Sequence, residues 1–174
     1  MELTFVYRGK LKANGSVKHK HEIRRIFHQQ LREFWKRATF DPSEKLARQI
    51  GKFRFFPLVV EEREEVAELQ ITMLRPESPG NLINQGGDID NRLKTLFDSF
   101  RMPHKDHEIP STDSPREGED PFFCLLEDDK LVTKVSISTD QLLESREKEY
   151  VHLLIHIIIR QRPVIGANMV LSIR

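Results

Sequence analysis

The sequence predicts an α+β fold, a small mixed β-sheet packed with helices in a single domain. Three observations carry this: two segments whose apolar residues recur every three or four positions, several segments in which apolar and polar residues alternate, and a length of 174 residues. That length supports one real core and is short for two. Leu3 to Leu11 alternates, with Leu3, Phe5 and Tyr7 on one face, and Ala13-Asn14-Gly15-Ser16 ends this first strand in a turn. Ile23, Ile26, Phe27, Leu31, Phe34 and Trp35 then recur at helical spacing, which predicts a long amphipathic helix with its basic residues mostly on the opposite side. Asp41-Pro42-Ser43-Glu44 reads as the start of a shorter helix running to about Gly51, because Asp or Ser caps a helix and Pro is tolerated in its first turn.

Phe53 to Val60 reads equally as a short strand or a covering loop, and Glu61 to Glu65 as an exposed connection. Val66 to Leu74 is a firmer strand, with Ala67, Leu69, Ile71 and Met73 alternating against Glu68, Gln70 and Thr72. Arg75 to Gly87 is a Pro- and Gly-rich loop that delivers the chain to Asp88. The period then changes: Leu93, Leu96, Phe97 and Phe100 define one face of a helix from Asp90 to Phe100, with Asp90, Lys94 and Asp98 striped along another. Residues 101–121 lack periodicity and read as a mobile or inserted loop. Leu131 to Ser138 and Val151 to Arg160 are strands, the latter apolar on both faces and therefore central, and Met169 to Ile173 adds an edge strand. One domain over residues 1–174 with an insertion at about 101–121 follows.

Net charge is +1, but the charges are segregated. Arg8 to Arg37 carries ten Lys and Arg against Glu22 and Glu33, a surface suited to nucleic-acid phosphates; Lys10, Lys12, Lys18, Lys20, Arg24 and Arg25 are the candidate DNA contacts, against the plainer reading of a solvated helix face. Asp98 to Asp129 carries ten acids against three basic residues, and repels DNA unless a metal or a basic neighbour neutralises it. The single cysteine, Cys124, excludes an intrachain disulfide and a cysteine-based zinc cluster. No signal-peptide pattern opens the chain, and Val151 to Ile159 is too short and too interrupted by His152 and His156 to span a bilayer, so a soluble, intracellular, cytoplasmic protein is expected.

The chemistry-bearing constellation is Asp88-Ile89-Asp90-Asn91 with Lys94 one turn on, followed by Glu127-Asp128-Asp129 just before a strand. Two aspartates one residue apart where a loop enters a helix can serve one oxygen-rich cation site. Asp129 or Asp128 joins them if the Leu131 strand lies beside the Val66 strand. Phosphodiester hydrolysis needs an activated water and stabilisation of the leaving oxygen, which Mg²⁺ on clustered carboxylates supplies. Lys94 shares the helical face of Asp90, where it can stabilise charge on a phosphate. Each residue also has a plainer role: Asp90 as a cap, Lys94 paired with Asp90 or Asp98, Asp128-Asp129 as a turn. His104 and His107 in a polar loop are better read as solvated than as ligands, His152 and His156 as core or interface residues, and Gly86-Gly87 as a tight turn rather than a phosphate-binding fingerprint.

Asp88-Ile89-Asp90-Asn91, Lys94, Phe97-Asp98 and Leu126-Glu127-Asp128-Asp129 before Leu131-Val132 resemble the RusA-like Holliday junction endonucleases, over Leu69 to Ser138. The resemblance implies that Asp88, Asp90 and Asp129 are metal ligands, that Lys94 is needed for catalysis, and that Asp128 is the neighbouring acid. It further implies a Mg²⁺-dependent homodimer, with Mn²⁺ able to replace Mg²⁺, that nicks branched DNA in recombination or repair. The link between the motif helix and Asp128 is longer here than in compact members, which suggests a reshaped DNA channel or a protein partner for the 101–121 loop. Two further readings stay open: a catalytically silent DNA-binding or accessory subunit of the same fold, and a nucleotidyltransferase, disfavoured because its Asp-x-Asp pair sits on a strand.

Overall fold

The computed structural model describes residues 1–37, 44–77, 88–144 and 147–162, and these form an α+β fold of two helices and seven strands. Strand β1 (Glu2–Lys10) turns Phe5 and Tyr7 inward, as its alternation requires. Ser16 then caps helix α1 (Val17–Arg37), its Oγ accepting from His19 N at 3.2 Å. Ile23, Phe27, Leu31 and Trp35 form the buried stripe of α1, while Ile26 remains 37% exposed. Arg24 and Arg25 depart from the expectation that the basic residues lie away from the core, since both are buried together with His21 and His28. A second layer of structure covers that face of α1, so an apolar stripe alone understates how much of the helix is enclosed.

The main sheet has the order β1-β7-β4-β6, with β4 at Glu65–Arg75, β6 at Val132–Gln141 and β7 at Tyr150–Gln161. Strand β7 is antiparallel to both of its neighbours, whereas β4 and β6 run parallel with Leu69 opposite Val135 and Ile71 opposite Ile137. The Leu131 strand therefore does lie beside the Val66 strand, and the crossover between them carries helix α2 (Asp88–Phe100). Strand β7 is central as expected but is buried on one face only: Val151, Leu153, Ile155, Ile157 and Ile159 enter the core, while Leu154 on the other face is 52% exposed.

A second sheet, in the order β2-β3-β5, comprises Arg48–Ile50, Phe53–Val59 and Phe122–Leu126. It corrects one expectation, resolves an ambiguous one and adds a strand that the sequence pattern did not suggest. The helix predicted to run from Asp41 to Gly51 is a 3₁₀ turn at Glu44–Leu46 followed by β2, with Gly51 at φ +55 making the tight return into β3; Asp41 and Pro42 lie outside the described residues. Cross-strand pairing here outweighs a local helix-start signal. Phe53 to Val59 is a strand, and β5, Phe122-Phe123-Cys124-Leu125-Leu126, has no alternation because both of its faces are buried.

The inner face of this sheet, including Phe56, Leu58 and Leu125, joins the main core; the outer face packs Phe53, Phe55, Phe122 and Cys124 against Met102 and Ile109. Residues 101–121 are thus the cover of a second apolar cluster rather than a free loop. Burial pushes the Cys124 thiol up to about 12, which suits a packing residue and not a nucleophile. No helix among the described residues is long and apolar enough to cross a membrane. The expected edge strand at Met169 to Ile173 lies outside the described residues.

Candidate functional site

Helix α2 carries the central motif. Leu96 and Phe100 are buried beneath it and Leu93 and Phe97 half-buried, which fixes its rotation and leaves Asp90 and Lys94 exposed one turn apart. Neither side chain has an ion-pair or hydrogen-bond partner among the described residues, although the helix places them at the spacing where an Asp and a Lys often pair. The third member of the stripe differs: Asp98 is 2.6 Å from Lys20 Nζ and 3.6 Å from Arg101 Nε. The side chain of Asp88, first residue of the helix, lies outside the described residues.

The turn between β1 and α1 docks on this helix. Gly15 N donates to Thr95 Oγ1 at 2.9 Å, and the Thr95 hydroxyl donates to Asn91 O at 3.1 Å. A Cβ at Gly15 would stand 2.7 Å from Thr95 Cγ2, so no larger residue allows this approach. The contact seats the turn before α1 on the middle of α2; Lys12 and Lys18 flank that turn and are exposed, with Lys18 on the side of Glu22, Arg25 and Arg116. Two cations missed by the sequence reading are buried here: Arg92, 3.5 Å from Glu77, and Arg75 at the end of β4, whose Nε and Nη2 find no hydrogen-bond partner among the described residues. No sequence pattern distinguishes them, because only the burial of β4 beneath α2 makes them unusual.

The six expected DNA contacts separate into three groups. Lys12 and Lys18 are exposed and have no ion-pair partner among the described residues; Lys10 pairs with Glu147, and Lys20 with Asp98. Arg24 and Arg25 are not surface cations. Arg24 donates to Asp98 O at 2.8 Å and Arg101 O at 3.3 Å, capping the end of α2 where backbone carbonyls lack helical partners. Arg25 forks onto two carboxylates, with Nε 2.8 Å from Glu119 Oε1 and Nη1 2.6 Å from Asp113 Oδ2, and so fastens residues 113–119 to α1.

These contacts shift the local ionisations. The hydrogen bond from Arg25 holds Asp113 below its usual range; burial opposes ionisation of Glu119, yet Arg25 and the Arg116 amide lower it too. His21, enclosed by Phe53 and Phe122, is lowered to about 4 by desolvation, with Arg24 and Arg25 adding to the effect.

Asp128 and Asp129 lie toward the other end of α2. Asp128 Oδ1 accepts from Lys130 N at 2.9 Å, capping the turn Asp129–Leu131, and its Oδ2 is 3.2 Å from His104 Nε2. Burial works against ionisation of Asp128, but the Lys130 amide, a hydrogen bond with the Asp129 carboxyl and the charge of His104 hold it below the usual carboxylate range. His104 is exposed, as expected of a solvated loop residue, with its Nε2 additionally within reach of the Asp128 carboxylate.

The rise of α2 carries the chain about 15 Å from Asp90 to Phe100, and His104 lies beyond that end. Parallel pairing of β4 and β6 thus does not by itself unite the two acidic segments. Among the described residues no three His, Cys, Asp or Glu side chains converge as a metal-holding group. Every donor in the two segments is nonetheless a carboxylate oxygen, the type that a hard divalent cation takes. A cavity of about 740 Å³ between Val17, Phe53, Ile109 and Pro110 lies under the 101–121 segment and is not lined by any of these acids. Compared with family models, with curated proteins and with solved structures, the chain matches none.

Proposed function

We propose that the protein is a Mg²⁺-dependent, structure-selective endonuclease of RusA-like type that cleaves branched DNA, Holliday junctions among it, in recombination or repair. The supporting observation is the first turn of α2, where Asp90 and Lys94 are exposed one turn apart, a carboxylate and an ammonium without a partner among the described residues. Asp88 and Asp90 would offer oxygen ligands for Mg²⁺, with Mn²⁺ an acceptable substitute; the resemblance also implies Asp129 and its neighbour Asp128, which stand toward the far end of α2 and do not reach an ion at Asp90 in this arrangement. The bound ion would activate water and neutralise charge on the phosphodiester. Lys94 holds the scissile phosphate and stabilises the negative charge that grows on its oxygens. Lys12 and Lys18, around the start of α1, follow the DNA backbone and keep the strand in register. A homodimer supplies a second site for the second strand, and the protein acts in the cytoplasm.

The accessory-subunit reading is favoured by a different observation, the placement of Asp128 and Asp129 towards the far end of α2 from Asp90. The two readings separate in one experiment. Labelled four-way junction, flap, single-stranded and duplex DNA are incubated with Mg²⁺ and wild-type protein or Asp90→Asn. Paired nicks in the junction that vanish in the variant support the resolvase. Asp90-dependent cleavage of another substrate keeps the chemistry and replaces the specificity, whereas binding without Asp90-dependent cleavage establishes the accessory role.

A further inference from the structure

We propose that β6 pairs antiparallel with β6 of a second copy of this chain, joining two four-stranded sheets into one across a two-fold axis at Ile137. The two outer edges of the main sheet are treated differently. On β1, the Gln30 side chain takes the place of a neighbouring strand: Val6 N donates to Gln30 Oε1 at 2.9 Å and Gln30 Nε2 donates to Val6 O at 2.8 Å. At the opposite edge β6 is ten residues long, contains no proline and pairs only with β4 among the described residues. Its outward N–H and C=O groups form a template for another strand, the kind of edge that monomers usually protect.

The side chains select the partner and the register. Ladder partners share a face, so Lys134, Ser136, Ser138 and Asp140 lie on the outer face with Glu68, Gln70, Thr72 and Leu74, and Val135, Ile137 and Thr139 lie on the core side. Antiparallel self-pairing centred on Ile137 sets Lys134 against Asp140 of the second copy, and the two-fold axis repeats the pair. Ser136 then faces Ser138, while Val135, 41% exposed, is covered by Thr139. Moving the centre by one residue to Ser136 places Lys134 opposite Ser138 and Asp140 opposite Val132, and both charge pairs are lost. Lys134 has no ion-pair partner among the described residues, and Asp140 only accepts from the neighbouring Gln141 amide, so both charges are available.

This pairing names the interface of the proposed dimeric enzyme but stands on the sheet edge alone, and its test involves no DNA. Sedimentation equilibrium over about two decades of protein concentration should show a dimer for the wild type. Lys134→Asp and Asp140→Lys each turn two attractions into two repulsions and should weaken association about 30-fold. An equimolar mixture of the two variants restores both pairs across a heterodimer, as the double variant does within a homodimer, and both should regain wild-type association. Unchanged melting of each variant separates loss of pairing from loss of fold. A wild type that stays monomeric throughout, single variants that associate normally, or a mixture that fails to regain association would each overturn the pairing.

Discussion

The two ends of α2 use charge in opposite ways. At its C-terminal end Asp98 is held by Lys20 and Arg101, Arg24 caps the carbonyls, Arg101 reaches Glu108 at 2.7 Å, and His104 pairs with Asp128. In its first turns Asp90 and Lys94 stand exposed without partners among the described residues, as do Lys12 and Lys18 around the start of α1. Charges of the first kind tie the end of α2 to α1 and to the 101–121 segment, which Arg25 fastens further through Asp113 and Glu119. Charges of the second kind add nothing to stability that the structure shows. Exposed charges of the second kind are free to meet a partner outside the chain, which is what the proposed function asks of them.

Four kinds of effect break or sharpen this contrast, from the largest downward. Arg25→Ala leaves Asp113 and Glu119 beside an emptied position, and the loss should be about 3–5 kcal/mol in denaturant unfolding; a loss below about 1 kcal/mol would make the fastening of residues 113–119 irrelevant to stability. Asp90→Asn should leave unfolding within about 0.5 kcal/mol of wild type while reducing cleavage by about 10²–10³-fold, or roughly 3–4 kcal/mol of barrier. Asp129→Asn should lose cleavage similarly if the acids at both ends of α2 serve one phosphate; retained cleavage would confine the chemistry to the first turn.

The third effect is a pH dependence. His21 titrates at about 4 in the fold against an ordinary value near 6.5, so the unfolded chain binds a proton that the native state refuses. Its contribution is complete above pH 6.5 and is lost as the pH falls towards 4, by about 3 kcal/mol over that interval. Asp113 and Glu119, both depressed by Arg25, lose their contributions on further acidification through their folded values. His21→Gln should flatten the stability profile between pH 6.5 and 4, measured by urea unfolding at each pH; an unchanged slope would assign the dependence to other groups. The smallest effects belong to the unpaired cations: Lys12→Gln and Lys18→Gln should each reduce the salt dependence of DNA binding by about one counterion, whereas Lys10→Gln, already engaged by Glu147, should change it less.

Much of the fold was legible because local periodicity and burial coincide. The alternation of Leu3, Phe5 and Tyr7, the heptad-like spacing of α1, and the change of period before Leu93 each report an element with one buried face. The second sheet was obscure for the converse reason. Strand β5 is enclosed on both faces and β2 is three residues long, so neither has a period to read. Arg24 and Arg25 look like any basic residues on a helix; the carbonyls at the end of α2 make Arg24 a buried anchor, and Asp113 and Glu119, 88 and 94 residues along the chain, make Arg25 one.

The sequence alone determined that this chain is α+β, that Asp88, Asp90 and Lys94 sit at the mouth of a helix, and that the central strand is apolar. These are properties of neighbours along the chain, set by the periods of 3.6 and 2 that backbone geometry imposes. Tertiary structure decided which charges remain available, where Asp128 and Asp129 stand relative to Asp90, and which sheet edge is left open. Those outcomes depend on desolvation and pairing between distant segments: a carboxylate is free or engaged according to what the fold brings beside it, and no local pattern records that.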